Sequence, residues 1–185
     1  QYEHNSNAFG WPWNYQAKQS LSLKDLECTI DLTVKNKSNM NMPFGFGIHP
    51  FFNFDDEIVL KFKAEREWIG PPEDFPIKTK LVKNNFNIND GNKLWKLEKT
   101  VCYENFEGDV QISWVNKNKK IKINADKIFN HLIVHVPKGG KYFCIEPVSH
   151  PTDSFNLIDK KIENIKNQFL KPNESFTGSI KIVVN

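Results

Sequence analysis

Cysteine is scarce in this chain. Cys28, Cys102 and Cys144 are the three present among 185 residues; they stand far apart and none has CxxC spacing. That pattern excludes a disulfide framework and a zinc finger, and it predicts a reducing, cytoplasmic compartment. No apolar run approaches the roughly 20 residues of a membrane-spanning helix, and the opening "QYEHNSN" has no signal-peptide character. A membrane partner is therefore not expected. Neither charge sign is in large excess: 25 Lys and Arg face 22 Asp and Glu, a net charge of +3. The basic residues are scattered, which argues against a nucleic-acid partner. Their densest run, "NKNKKIK" at 116–122, reads as a solvated hairpin turn. Helical periodicity is also missing; "DKKIENIKNQFL" allows at most a short helical turn. No repeat stands out at a propeller or solenoid period.

What is present is strand signal. In "LECTIDLTVKN", Leu26, Cys28, Ile30, Leu32 and Val34 alternate with polar residues, so one face is expected in the core and the other in water. "EIVLKFK" repeats the pattern with Ile58, Leu60 and Phe62 inward, and "DVQISWV", "KKIKIN", "HLIVHV", "KYFCIE" and "GSIKIVV" follow. Turn chemistry lies between them, in "PPEDFP" at 71–76, "NDGN" at 89–92, "PKGGK" at 137–141 and "KPNES" at 171–175. Many strands with short turns predict an all-β sandwich or barrel, and the length suits a single domain over 1–185. Residues 64–108 are more weakly patterned and are expected to hold long loops over one face.

Two apolar runs each end on an ionisable residue followed by proline: "IHP" at His49 and "IEP" at Glu146. The residue before a proline is pushed into extended backbone, and the proline donates no hydrogen bond. Each side chain is thus expected where a strand stops pairing, aimed at a ligand beyond the sheet. An imidazole and a carboxylate also form a sensible acid–base pair. On the residues alone, a hydrogen-bonded structural His and a loop-capping Glu fit equally well, because 97 positions separate the two. A metal site drawn from His49, His135, His150 and Glu146 lacks a close His-x-His nucleus. The five Trp, at 11, 13, 68, 95 and 114, could offer a flat platform for a ligand but fit strand packing at least as well. The cysteines read as small buried hydrophobes.

In "GWPWNYQAKQSLSL", "MPFGFGIHPFF" and "FCIEPVSHPTDSFN" the chain resembles, block by block and in order, the aldose 1-epimerase (galactose mutarotase-like) family, in its hexose-epimerase branch. The resemblance runs from Phe9 to the end. It implies a large twisted antiparallel β-sandwich and interconversion of the α and β anomers of an aldose, a hexose or hexose 6-phosphate. It makes His49 the general acid and Glu146 the general base, and it implies no metal or organic cofactor. Phe51, which replaces the usual Tyr of "HPYF", and His150 are expected as substrate-binding residues. The family's upstream block, with a His and an Arg at the sugar, has no counterpart here. The fold is therefore expected to be N-terminally incomplete, with self-association or pairing with the missing segment as a consequence. Thr100 and Val101 stand where related sequences place a sugar-binding carboxylate. These departures keep open a non-catalytic carbohydrate-binding or sensor paralogue. A phosphate would need a basic pocket, for which Lys80, Lys83 and Lys141 are candidates.

Overall fold

The computed structural model describes residues 1–6, 10–70, 77–82, 87–88, 94, 97–162 and 168–185. Its pairings are antiparallel and build two large sheets. The eight-stranded sheet runs, edge to edge, through β1 (Tyr2–His4), β2 (Tyr15–Lys24), β3 (Glu27–Asn36), β16 (Ser175–Val184), β12 (Lys119–Ala125), β11 (Asp109–Trp114), β6 (Ile58–Phe62) and β9 (Asn87–Ile88). The six-stranded sheet runs through β5 (Phe51–Asn53), β14 (Tyr142–Val148), β13 (His131–His135), β10 (Thr100–Glu104), β7 (Arg66–Ile69) and β8 (Lys78–Leu81). A small two-stranded sheet joins β4 (Met42–Phe44) to β15 (Gln168–Leu170). No described helix is long and apolar enough to cross a membrane.

The two large sheets share one core. Ile58, Leu60 and Phe62 of β6 and Val110, Ile112 and Trp114 of β11 pack with Val101 and Tyr103 of β10, Leu132 and Val134 of β13, and Phe143 and Ile145 of β14. Each set steps by two residues, as it must when alternate side chains of a strand enter one face. The architecture is thus the all-β sandwich that the alternation predicts. The "NKNKKIK" run forms the β11–β12 hairpin, with its turn at 115–118 and Asn118 at φ 48°. The turns of "PKGGK" and "KPNES" place Gly139 and Asn173 at φ 63°. Those at 71–76 and 89–92 lie outside the described residues.

Two expectations are corrected, and one element is added. Leu26 is exposed, because β3 starts one residue later and Leu26 sits in the tight β2–β3 turn after Asp25. Its neighbours Leu21 and Leu23 are exposed as well, so this end of the hairpin lacks a covering layer. Residues 64–108 hold β7, β8, β9 and β10 as well as connections; Val101, Cys102 and Tyr103 of β10 are buried in the middle of the six-stranded sheet. A six-residue helix, α1 (Ser154–Asp159), precedes rather than occupies most of the "DKKIENIKNQFL" stretch. It forms because Leu157 has an apolar site to fill, against Trp68 and Cys102 on the outer face of the six-stranded sheet.

Ile112 is fully buried in the shared core, so Ile112→Ala is expected to lower the unfolding free energy by about 2–5 kcal/mol. Leu23→Ala, at an exposed position, should stay within about 0.5 kcal/mol. Urea unfolding of both variants checks this through the midpoint at constant slope.

Candidate active site

His49 and Glu146 meet: His49 Nε2 lies 3.2 Å from Glu146 Oε1. Backbone register explains how. Phe51 pairs with Cys144 in the β5–β14 ladder, and Gly47 forms an isolated antiparallel bridge with Val148. Both pairings belong to one register, which places His49 directly opposite Glu146. Ile48 N–H donates to Pro147 O, and Ser149 N–H to Phe46 O. The hydrogen-bonded positions are therefore 46/149 and 48/147, which leaves 49/146 at a non-hydrogen-bonded position, where facing side chains are closest. Pro147 removes the return bond on one side of the pair, and Pro50 removes a donor on the other.

The expectation that both strands stop pairing at the prolines holds for one edge only. β14 continues through Pro147 and stays paired with β13, from His131↔Val148 to His135↔Cys144. Pro147 O faces the 45–48 segment, so its imino nitrogen points there too and β13 loses nothing. Gly47 is needed at the bridge. A Cβ there would lie 2.5 Å from Val148 Cγ1 and 2.8 Å from Pro147 O.

The pair is asymmetric. The Glu146 side chain is 9% exposed and that of His49 55%. Burial raises the Glu146 carboxyl above its ordinary value, and the adjacent His49 offsets part of the rise. A buried carboxylate of raised pKa is a stronger base than one in water, and it faces an imidazole open to a ligand. His49 stacks on Phe51 at 4.8 Å between ring centroids, and Phe51 contacts Tyr142 at 5.1 Å. Phe51 is 64% exposed, so the two rings form an open apolar shelf beside the pair.

Residues 1–183 match the Aldose 1-epimerase family. The chain belongs to this family. Solved structures of similar fold include a galactose mutarotase-like protein from Clostridium acetobutylicum, with TM-score 0.80 and 19% identity over 100% of this chain and 61% of that one. Another galactose mutarotase-like protein, from Lactobacillus casei, gives TM-score 0.76 and 17% identity over 100% and 68%. A galactose mutarotase related enzyme from Lactobacillus acidophilus gives 0.74 and 18% over 100% and 66%. These likenesses establish the mutarotase-like fold, of which this chain spans roughly three fifths to two thirds. Comparison with curated proteins finds no match.

Of the residues that the aldose 1-epimerase resemblance singles out, the structure brings His49, Glu146 and Phe51 together. His150 goes elsewhere. It lines an apolar cleft of about 630 Å³ with Gly45, Phe46, Trp11 and Phe155, and its Nδ1 lies 3.0 Å from Pro151 O. Thr100 bonds His135 Nδ1 at 2.7 Å, and Val101 faces the core. Lys80 is held by Glu67 at 2.6 Å. Lys83 and Trp95 lie outside the described residues.

Cys144 and a second polar cleft were not singled out as functional by the sequence. Cys144 precedes Glu146 by two residues on one strand, so a period of two would have placed both on one face. The cleft, about 570 Å³, is lined by Arg66, Trp68, Glu104, His131, Ser149 and Gln168, among others. Direct strand partners share a face, so Glu104, His131 and Val148 form the row beside that of Cys102, Ile133 and Glu146. Arg66 Nε donates to Thr79 Oγ1 at 2.6 Å and lies 3.8 Å from Glu104. Burial raises the Glu104 carboxyl, with Arg66 opposing. His131 is pushed down to about 4 by burial and by His150.

The His131 shift has a definite sign. The unfolded chain takes up a proton near pH 6.5, whereas the native imidazole stays neutral down to about 4. Native stability should therefore fall as pH drops from 6.5 to 4, by on the order of 3 kcal/mol from this group. Glu104 and Glu146, both raised, act in the opposite direction as they protonate. Comparing wild type with His131→Gln isolates the His131 part: denaturant titrations at pH 7 and pH 4.5 should show a smaller drop in the variant.

Proposed function

We propose that this chain is a mutarotase, which interconverts the α and β anomers of a hexose through acid–base ring opening. The observation that carries the reading is the His49–Glu146 pair, 3.2 Å apart and opposite one another across a broken ladder, in a chain of the aldose 1-epimerase family. Glu146 takes the proton of the anomeric hydroxyl. His49 gives its proton to the ring oxygen, and the C1–O5 bond breaks. The aldehyde turns about C1–C2. His49 then recovers the proton from the O5 hydroxyl as O5 attacks C1, and Glu146 returns its own to the new anomeric oxygen. Both groups end as they began. The Phe51–Tyr142 shelf offers its ring faces to the apolar C–H face of a pyranose.

Lys80 on β8 and Arg66 on β7 are engaged by Glu67 and Glu104, at the other edge of the sheet from the pair; Lys141, whose carbonyl accepts from Phe54 N–H beside the Phe51–Tyr142 shelf, is the cation on which a hexose 6-phosphate would depend. The second reading, a sugar-binding protein without turnover, is favoured by Thr100 and Val101, which stand where the family resemblance places a sugar-binding carboxylate: Thr100 is bonded to His135 and Val101 faces the core.

Polarimetry of fresh α-D-glucose and α-D-galactose tests the proposal. The wild type should speed anomer exchange, and His49→Ala or Glu146→Ala should each reduce the rate about 10²–10⁴-fold. Saturable sugar binding with no acceleration would instead support the second reading. Gly47→Ala should lower turnover while leaving the fold intact by circular dichroism, because its Cβ must displace Val148 or the Pro147 carbonyl; unchanged turnover would show that the bridge does not position His49.

A further inference from the structure

We propose that Cys144, His49 and Glu146 together bind a thiophilic divalent cation such as Zn²⁺, which occupies the acid–base pair in place of sugar. One ligating atom from each residue lies within 4.8 Å of the other two. Three atoms so placed share a point no more than about 2.8 Å from each, against bond lengths of about 2.3 Å for Zn–S and 2.0–2.2 Å for Zn–N and Zn–O. Closing the remainder takes small side-chain rotations on a strand and its neighbour. The imidazole–carboxylate separation of 3.2 Å already matches the edge of a tetrahedral coordination sphere, roughly 3.3 Å for bonds of that length.

The ligand types decide the class of ion. A thiolate, an imidazole and a carboxylate suit zinc, whereas calcium and magnesium prefer oxygen alone. Three protein ligands leave a fourth position for water. Access comes from the His49 side, since that side chain is half exposed while Cys144 is fully buried. Cys144 stands on the outer face with Glu146; its neighbours Phe143 and Ile145 face the core. On binding, the Cys144 proton leaves to solvent and a Zn–S bond forms, with no change of oxidation state. The cation would lock the Glu146 carboxylate and take the His49 nitrogen, so a sugar could not use either. That consequence for turnover rests on the mutarotase reading; the binding site itself does not.

Cobalt(II) is the first probe, added to the full chain in a non-thiol reductant. One equivalent should give a near-ultraviolet thiolate-to-cobalt band with the visible bands of tetrahedral Co²⁺, and Zn²⁺ should displace it. Cys144→Ser should lose the near-ultraviolet band, and His49→Ala or Glu146→Gln should weaken binding at least tenfold. Absence of the band, or its survival in Cys144→Ser, would overturn the proposal. Zn²⁺ should also slow anomer exchange in the wild type and do so at least tenfold less potently in Cys144→Ser. If cobalt binds as described but the chain has no exchange activity to inhibit, the mutarotase reading fails and the metal site stands.

Discussion

The site depends on a ladder kept in register but stripped of hydrogen bonds. The 45–53 segment runs antiparallel to β14, touching at Gly47↔Val148 and again at Phe51↔Cys144. Between those contacts the two prolines remove a donor from each strand, one on either side of His49 and Glu146. A regular ladder would hold the backbones together with ordinary sheet spacing and leave no reason for a polar pair. Here the side chains face each other across the gap while β13, on the far edge of β14, holds that strand from Cys144 to Val148. The core beneath, with Phe143 and Ile145 locked between the sheets, fixes which way Glu146 must point.

Much of this was legible in the residues. The strict alternation of Ile58, Leu60 and Phe62 is the signature of one buried face, and β6 obeys it. The His-Pro and Glu-Pro dipeptides marked the chemistry, but not that their side chains meet, because register is a long-range property. Leu26 misled because periodicity says which residues share a face, not where a strand begins or whether a second layer covers it. β10 was obscured by its polar surroundings, although its own Val101 and Tyr103 are core residues. The six-residue α1 is too short for periodicity to reveal; tertiary packing of Leu157 on Trp68 and Cys102 holds it.

The outer face of the six-stranded sheet carries two polar regions of different character. At one, a buried carboxylate meets an open imidazole. At the other, beside Pro151 and Gln168, the Nε1 of Trp68, Nε2 of His131 and Oε1 of Gln168 are buried without partners among the described residues. Chain after β14 folds back between them: Cys102, whose thiol burial pushes up to about 12, receives a backbone hydrogen bond from Thr152, and α1 covers the adjoining apolar row. The same strands thus supply an imidazole–carboxylate pair at one place and a patch of buried, unpartnered polar atoms at another.

A β-strand alternates its side chains with a period of two, so slipping a pairing by one residue turns every side chain to the opposite face. Between Gly47 and Phe51, and between Cys144 and Val148, the spacing is consequently as important as the chemistry. Residues there can change identity through substitution, and Phe51 is one such case beside a family Tyr. A single inserted or deleted residue would carry His49 or Glu146 to the core side or break the register. Evolution of this site can therefore proceed by exchanging side chains, while the lengths of these two five-residue stretches remain locked to each other.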